Sequence, residues 1–308
     1  MMKKIAFVLL GMAALAACQP LGQAAQSGGA KTALKVVAAE TFLADIAQNV
    51  AGDRIKIEAL MPIGVDPHGF EPTPTDVARI ADSSVLIVNG AGLEEFLAKL
   101  LKNAGGQRAV IEAAAGLISR QRQEGEMADP DHVGDPHFWL DPNNVLKYVE
   151  NIRDGLSKAD PEGAATYKAN ADAYIAKLKE LDRWIADRAK EVPETNRLLV
   201  TNHESFGYFA DRYGFKIIGT LLPSVSTGSS PSAQQLAQLI DHITATGAKA
   251  IFLETGTNPQ LAEQVAKETG SQVVTKLYSH SLTEASGAAP TYIDMMKFNT
   301  NAIVDALK

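Results

Sequence analysis

Four histidines stand in segments of this chain that fit metal chemistry. His68 lies in Gly64-Val65-Asp66-Pro67-His68 and His137 in Asp135-Pro136-His137-Phe138-Trp139. His203 lies in Thr201-Asn202-His203-Glu204 and His280 in Tyr278-Ser279-His280-Ser281. Imidazole is a borderline ligand that suits zinc and other late first-row ions. Four protein donors closing a tetrahedron hold an ion, whereas an open position activates water. A carrier needs the closed kind, in a form it can open again. Asp66, Glu71, Asp135, Asp141 and Glu204 stand near these histidines. Such carboxylates can accept the second imidazole N–H and fix a ring's orientation. No HxxxH or HExxH pair occurs, so the signal is the recurrence of one setting rather than a local spacing. The other two histidines read differently. His242 follows Leu236-Ala237-Gln238-Leu239-Ile240-Asp241 on a helical pattern and reads as a surface residue. His132 sits among Asp129, Asp131 and Asp135 and reads as solvent-facing, with recruitment of metal as the other reading.

The elements that must position these residues alternate along the chain. Strands are expected at 34–38, 55–60, 85–89 and 109–112, and again at 198–201, 216–219, 249–253 and 272–277. Amphipathic helical patterns lie between or after them, at 41–50, 75–82, 205–213, 233–246, 259–269 and 291–307. That order is expected of mainly parallel sheets with helices on both faces. His68, His203 and His280 each follow a predicted strand, on the sheet edge where open α/β folds bind ligands. Two histidines come from each half, so they can converge across a cleft. Between the halves, Tyr167, Ala171, Tyr174, Leu178, Leu181 and Ile185 recur at spacings of four and three, one apolar stripe on a helix. Asp160 is the expected N-cap, with Pro161 at the first helical position and Glu162 in the first turn. A helix over 161–191 would run roughly 45 Å at about 1.5 Å per residue. It reads as a strut between two α/β lobes, in preference to a coiled coil. Residues 120–136 are polar and acidic, without apolar periodicity, and read as a surface loop.

The N-terminal residues differ from the rest. Lys3 and Lys4 precede an apolar stretch over 5–15, and Leu15-Ala16-Ala17-Cys18 follows. This is the pattern of a secretory signal ending in a lipobox, with Cys18 as the lipidation site. The stretch is too short for a permanent membrane span. Cys18 is the only cysteine, so no intrachain disulfide is possible. Residues 19–33 are small, polar and Gly-rich, as in a flexible tether. The expected organisation is a leader over 1–17, a tether over 18–33, an N-terminal lobe over 34–158, a linking helix over 159–192 and a C-terminal lobe over 193–308. The 308 residues carry a net charge of −7 and no Lys/Arg run, which argues against a nucleic-acid partner.

The segments around the first three histidines closely resemble the cluster A-I solute-binding proteins of zinc and manganese ABC importers, over about 36–307 of the chain. Asp66-Pro67-His68-Gly69-Phe70-Glu71-Pro72-Thr73 looks like that family's first ligand loop, and Asp135-Pro136-His137-Phe138-Trp139-Leu140-Asp141-Pro142 like its second. His203-Glu204-Ser205-Phe206-Gly207-Tyr208-Phe209-Ala210 looks like its third. Thr291-Tyr292, Met295-Met296 and Asn299 resemble its C-terminal signature. The resemblance implies two α/β lobes joined by a rigid helix, with metal at their interface. It carries His68, His137 and His203 over as ligands. The third position is His in zinc-type members and often Glu in manganese-type members, so His203 favours Zn2+ over the alternative, Mn2+. The absence of a long His-rich loop before His137 points the other way. At the fourth position the family usually has Asp, and this chain has His280. Either His280 is the ligand, or water or a carboxylate, Glu254 or Glu284, completes the sphere. The implied partners are an ABC permease and its ATPase, with the membrane reached through the lipid anchor and the protein itself a monomer outside the cytoplasm. Two rival functions are a secreted metallohydrolase, with Glu204 as base, and an adhesin. No HExxH or nucleophile-elbow motif supports the first, and nothing in the sequence supports a host-protein face for the second.

Overall fold

Short runs of aliphatic residues form two four-stranded sheets. The computed structural model describes residues 34–121, 134–228 and 230–308. In the first half the order is β1 (Val36–Ala38), α1 (Thr41–Ala51), β2 (Ile57–Ala59), α2 (Pro74–Ala81), β3 (Val85–Val88), α3 (Leu97–Ala104) and β4 (Ala109–Glu112). Two helices follow, α4 (Pro142–Ala159) and α5 (Ala164–Ala189). The second half runs β5 (Leu198–Thr201), α6 (Gly207–Tyr213), β6 (Lys216–Thr220), α7 (Ala233–Thr246), β7 (Ala250–Glu254), α8 (Gln260–Thr269), β8 (Gln272–Leu277) and α9 (Tyr292–Leu307). The strand orders are β2-β1-β3-β4 and β6-β5-β7-β8. All pairings are parallel. The two halves therefore share one topology without a recognisable sequence repeat.

Each sheet is buried on both faces, which is why its central strands are continuously apolar rather than alternating. Side-chain direction still alternates with the pleat. Val36 and Ala38 on β1, and Val85 and Ile87 on β3, face a core shared with α1, α4 and α5. Val37, Leu86 and Val88 face the other way, against Ile80 of α2 and Leu100 of α3. On β7, Ala250 and Phe252 join the same shared core, while Ile251 and Leu253 pack with Leu239 and Ile243 of α7 and Val265 of α8. One apolar core thus runs from the first sheet through the central helices to the second.

The long helix is α5, whose 26 residues give a length of about 39 Å. Its stripe of Tyr167, Ala171, Tyr174, Leu178, Leu181 and Ile185 is buried throughout. It packs on α4 along its length, and also on α1 of the first half and α9 of the second. Its start differs from the sequence expectation. Pro161–Gly163 form a 3-10 turn, and Asp160 makes no side-chain cap. Asp160 is instead held by Arg54 Nη2, at 2.9 Å, and by the Tyr167 hydroxyl, at 2.5 Å, because a charged partner outcompetes the helix N–H groups. Helix α3 falls between two expected strands, as the alternation implies, whereas α4 lies outside the helical stretches that the sequence marks. The start of α4 is nevertheless conventional: Asp141 accepts from Asn143 N at 2.8 Å and Pro142 occupies the first position. Leu178→Ala removes a fully buried side chain between the halves. It is expected to cost about 3 kcal/mol, read as a lower urea midpoint with an unchanged slope.

Candidate metal centre

The strand-end loops bring His68, His137, His203 and His280 together. Their candidate donor nitrogens all lie within 4.8 Å of one another. His137 Nε2 stands 3.3 Å from both His68 Nε2 and His203 Nε2. A tetrahedron with Zn–N bonds of about 2.0–2.1 Å has N···N edges of about 3.3–3.4 Å. Two edges therefore already have the length that a bound zinc requires. The Nε2 of His280 is buried and has no hydrogen-bond partner among the described residues. Leaving such a nitrogen unpaired is costly unless something else takes its lone pair, and a cation at the centre of the cluster does so.

Local structure aims each ring. His68 follows β2 in an irregular loop, and its backbone N–H donates to Asp66 Oδ1 at 2.9 Å. Asp66 also accepts from the Thr227 hydroxyl, a bridge between the two halves. His137 precedes a 3-10 turn, Phe138–Leu140, and is fully buried. Both its backbone N and its Nδ1 lie 2.9 Å from Asp135 Oδ1, so one carboxylate fixes main chain and ring. His203 follows β5, and His280 follows β8. His203 Nδ1 is 2.8 Å from Glu254 Oε1, and His280 Nδ1 is 3.2 Å from Glu254 Oε2. The loops are tied across the halves as well. Trp139 Nε1 donates to the carbonyl of Ser279 at 2.7 Å, and Gly64 N donates to Ser281 Oγ at 2.8 Å.

The electrostatics follow from burial and proximity. Burial, with three further imidazoles close by, holds His137 well below the ordinary histidine range. Burial also works against a charged His280, but the adjacent Glu254 outweighs it and raises the net value. Burial would raise Glu254, yet His203 and His280 bring it well below the usual carboxylate range. Burial pushes Asp135 up to about 7 against the pull of the His137 backbone N–H. The centre is thus four convergent imidazoles with an ionised carboxylate behind two of them.

Among the nearby acids, Asp135 contacts an imidazole nitrogen as the sequence suggests, and Asp66 holds the backbone of its histidine instead. Asp141 is the N-cap of α4, Glu71 lines a groove beside His68, and Glu204 lines a small enclosed cavity with Arg120 and Thr220. Glu284 is exposed and Glu254 is not among the convergent donors. Ser205 and Ser279, whose hydroxyls donate to Glu254, carry no sequence signal that marks them. His242 lies exposed on α7. Cys18 and His132 lie outside the described residues. Among the described residues, no helix is long and apolar enough to cross a membrane.

Two parallel α/β sheets around a long helix, with imidazoles gathered at the carboxyl ends of the strands, define a two-lobed metal-binding fold. A family model described as ZnuA, the periplasmic zinc-uptake complex component A, matches residues 36–306. The chain is 34% identical over 311 residues to the manganese-binding lipoprotein MntA of Halalkalibacterium halodurans, covering 99% of each chain. It is 33% identical over 297 residues to the iron-binding protein YfeA of Yersinia pestis, covering 96% of this chain and 93% of that one. The periplasmic zinc-binding protein TroA of Treponema pallidum superposes with a TM-score of 0.79 at 28% identity, over 89% of this chain and 99% of that one. The chain belongs to the ZnuA family of metal-binding substrate-binding proteins, a transport family rather than an enzyme family.

Proposed function

We propose that this protein captures zinc outside the cytoplasm and delivers it to an ABC permease driven by an ATPase. The observation that carries the reading is the donor set: four imidazoles converge, with no carboxylate among them in the described residues. Neutral nitrogen donors in a tetrahedron suit zinc, whereas oxygen-rich sites suit manganese. His68, His137, His203 and His280 are the proposed ligands, and zinc is the cargo, held closed and then released. His68 and His137 come from the first half and His203 and His280 from the second, so parting the loops dismantles the sphere. Cys18 is the proposed lipid anchor, after removal of residues 1–17, with 18–33 as the tether. The protein works as a monomer, with residues 34–158 and 193–308 as lobes on either side of a linking segment over 159–192.

Manganese is the second reading, favoured by a relative named for that metal. Growth separates the two. Cells lacking this protein, grown with a chelator, are expected to recover when zinc is added in excess and not when manganese is. Recovery with manganese alone would put the second reading first, and recovery with neither would remove both readings.

A further inference from the structure

The strand order of the second sheet places one acid between two of the histidines. β7 lies between β5 and β8. Glu254 is the last residue of β7, His203 follows β5 and His280 follows β8. The Glu254 side chain therefore sits where it can meet both rings from behind. Its carboxylate is nearly sealed from solvent, at 6% exposure. Each oxygen has two neighbours: Oε1 lies 2.8 Å from His203 Nδ1 and accepts from Ser205 Oγ at 3.0 Å. Oε2 lies 3.2 Å from His280 Nδ1 and accepts from the Ser279 hydroxyl. Ser279 Oγ is also 3.0 Å from His280 Nδ1. An ionised carboxylate has acceptor positions only, so a ring nitrogen brought this close to it is favoured as Nδ1–H, although His203 Nδ1 is not aligned for a full hydrogen bond.

We propose that Glu254 is a positioning residue that sets His203 and His280 together as Nδ1–H tautomers, leaving both Nε2 lone pairs free for the metal before it arrives. The inference rests on the carrier reading for the identity of the metal, and on the geometry alone for the tautomers. One carboxylate thereby does for two ligands what Asp135 does for His137. It also places a negative charge behind a donor set that has none of its own. From the sequence alone, Glu254 is one of two carboxylates that could complete the sphere in place of His280. Its place behind the rings instead lets His280 occupy that position as a neutral donor with the countercharge one residue further out.

Glu254→Gln separates this role from simple packing. The amide has nearly the same shape, but one of its two ends is an N–H2 donor. The imidazole facing that end loses its acceptor, which disfavours Nδ1–H and moves the proton toward Nε2, where the metal would bind. Zinc affinity of the intact chain is measured by competition with a chromophoric chelator, with wild type, Glu254→Gln, Glu254→Ala and Glu254→Asp in parallel. The expected loss is about 10–100-fold for Gln and Ala alike, with partial recovery in Asp, which keeps two acceptors. Nitrogen-15 NMR of the metal-free wild type at pH 8 is expected to show His203 and His280 as Nδ1–H tautomers. In the Gln variant one of the two switches while His137 stays unchanged. A Gln variant within threefold of wild type, or Nε2–H tautomers at either ring in the wild type, would overturn the proposal. If wild type itself bound no zinc, the carrier reading would fail instead, and the tautomers of the metal-free protein would still decide the role of Glu254.

Discussion

Replacing His137 by Ala is expected to lower zinc affinity by two to three orders of magnitude. Apparent free energies for zinc held by four protein ligands are about 10–16 kcal/mol near neutral pH. A quarter share is roughly 2.5–4 kcal/mol, or about two to three decades in Kd. His137 is the proposed ligand at the centre of the cluster, 3.3 Å from both His68 Nε2 and His203 Nε2. Its removal also strips Asp135 of its ring partner. His242→Ala, on an exposed face of α7, is the control and is expected to change nothing. Competition titration of the two variants side by side checks the prediction. A His137→Ala protein within tenfold of wild type would mean that this imidazole does not touch the metal.

Acid is expected to release the metal. A protonated imidazole cannot coordinate, so binding weakens as pH falls through the pKa of each ligand. The window follows from the environments. Glu254 raises His280 above its ordinary value in spite of burial, so a proton competes with the metal there at higher pH than it would at an ordinary histidine. His137, depressed by burial and its neighbouring imidazoles, resists protonation and contributes only at lower pH. Each titrating ligand costs up to about tenfold per pH unit below its pKa. Between pH 7.5 and 5.5 the apparent zinc affinity is therefore expected to fall about a hundredfold. Chelator competition across that range measures it, and a flat profile would argue against imidazole ligation.

Much of this architecture was legible in the sequence because the signals are periodic or positional. The stripe from Tyr167 to Ile185 marks a helix buried on one side, and that face is the one α5 turns to the core. The strand-end setting of His68, His203 and His280 marks the binding edge, and the topology brings those edges together. Helix α4 escaped, although Asp141-Pro142 starts it and Val145, Tyr148, Val149, Ile152 and Leu156 form its buried face. The polar residues between them dilute the stripe, and the Asp-Pro pair also belongs to the segment that resembles a ligand loop. Asp160 looked like a helix cap because local spacing says nothing of Arg54, over a hundred positions away, which holds it. Glu254 escaped in its actual role for the same reason. Its partners His203 and His280 lie on neighbouring strands, and that adjacency depends on the β5-β7-β8 order rather than on any spacing along the chain.

Four imidazoles are proposed to hold one zinc ion. The most direct test is to strip the purified protein, load it with zinc and measure stoichiometry together with the X-ray absorption spectrum of the bound metal, while manganese is titrated as competitor. One zinc per chain, four nitrogen neighbours at about 2.0 Å with the outer-shell pattern of imidazole rings, and no displacement by manganese are the predicted results. A shell containing carboxylate oxygen, or ready displacement by manganese, would contradict both the fourth ligand and the metal assigned here.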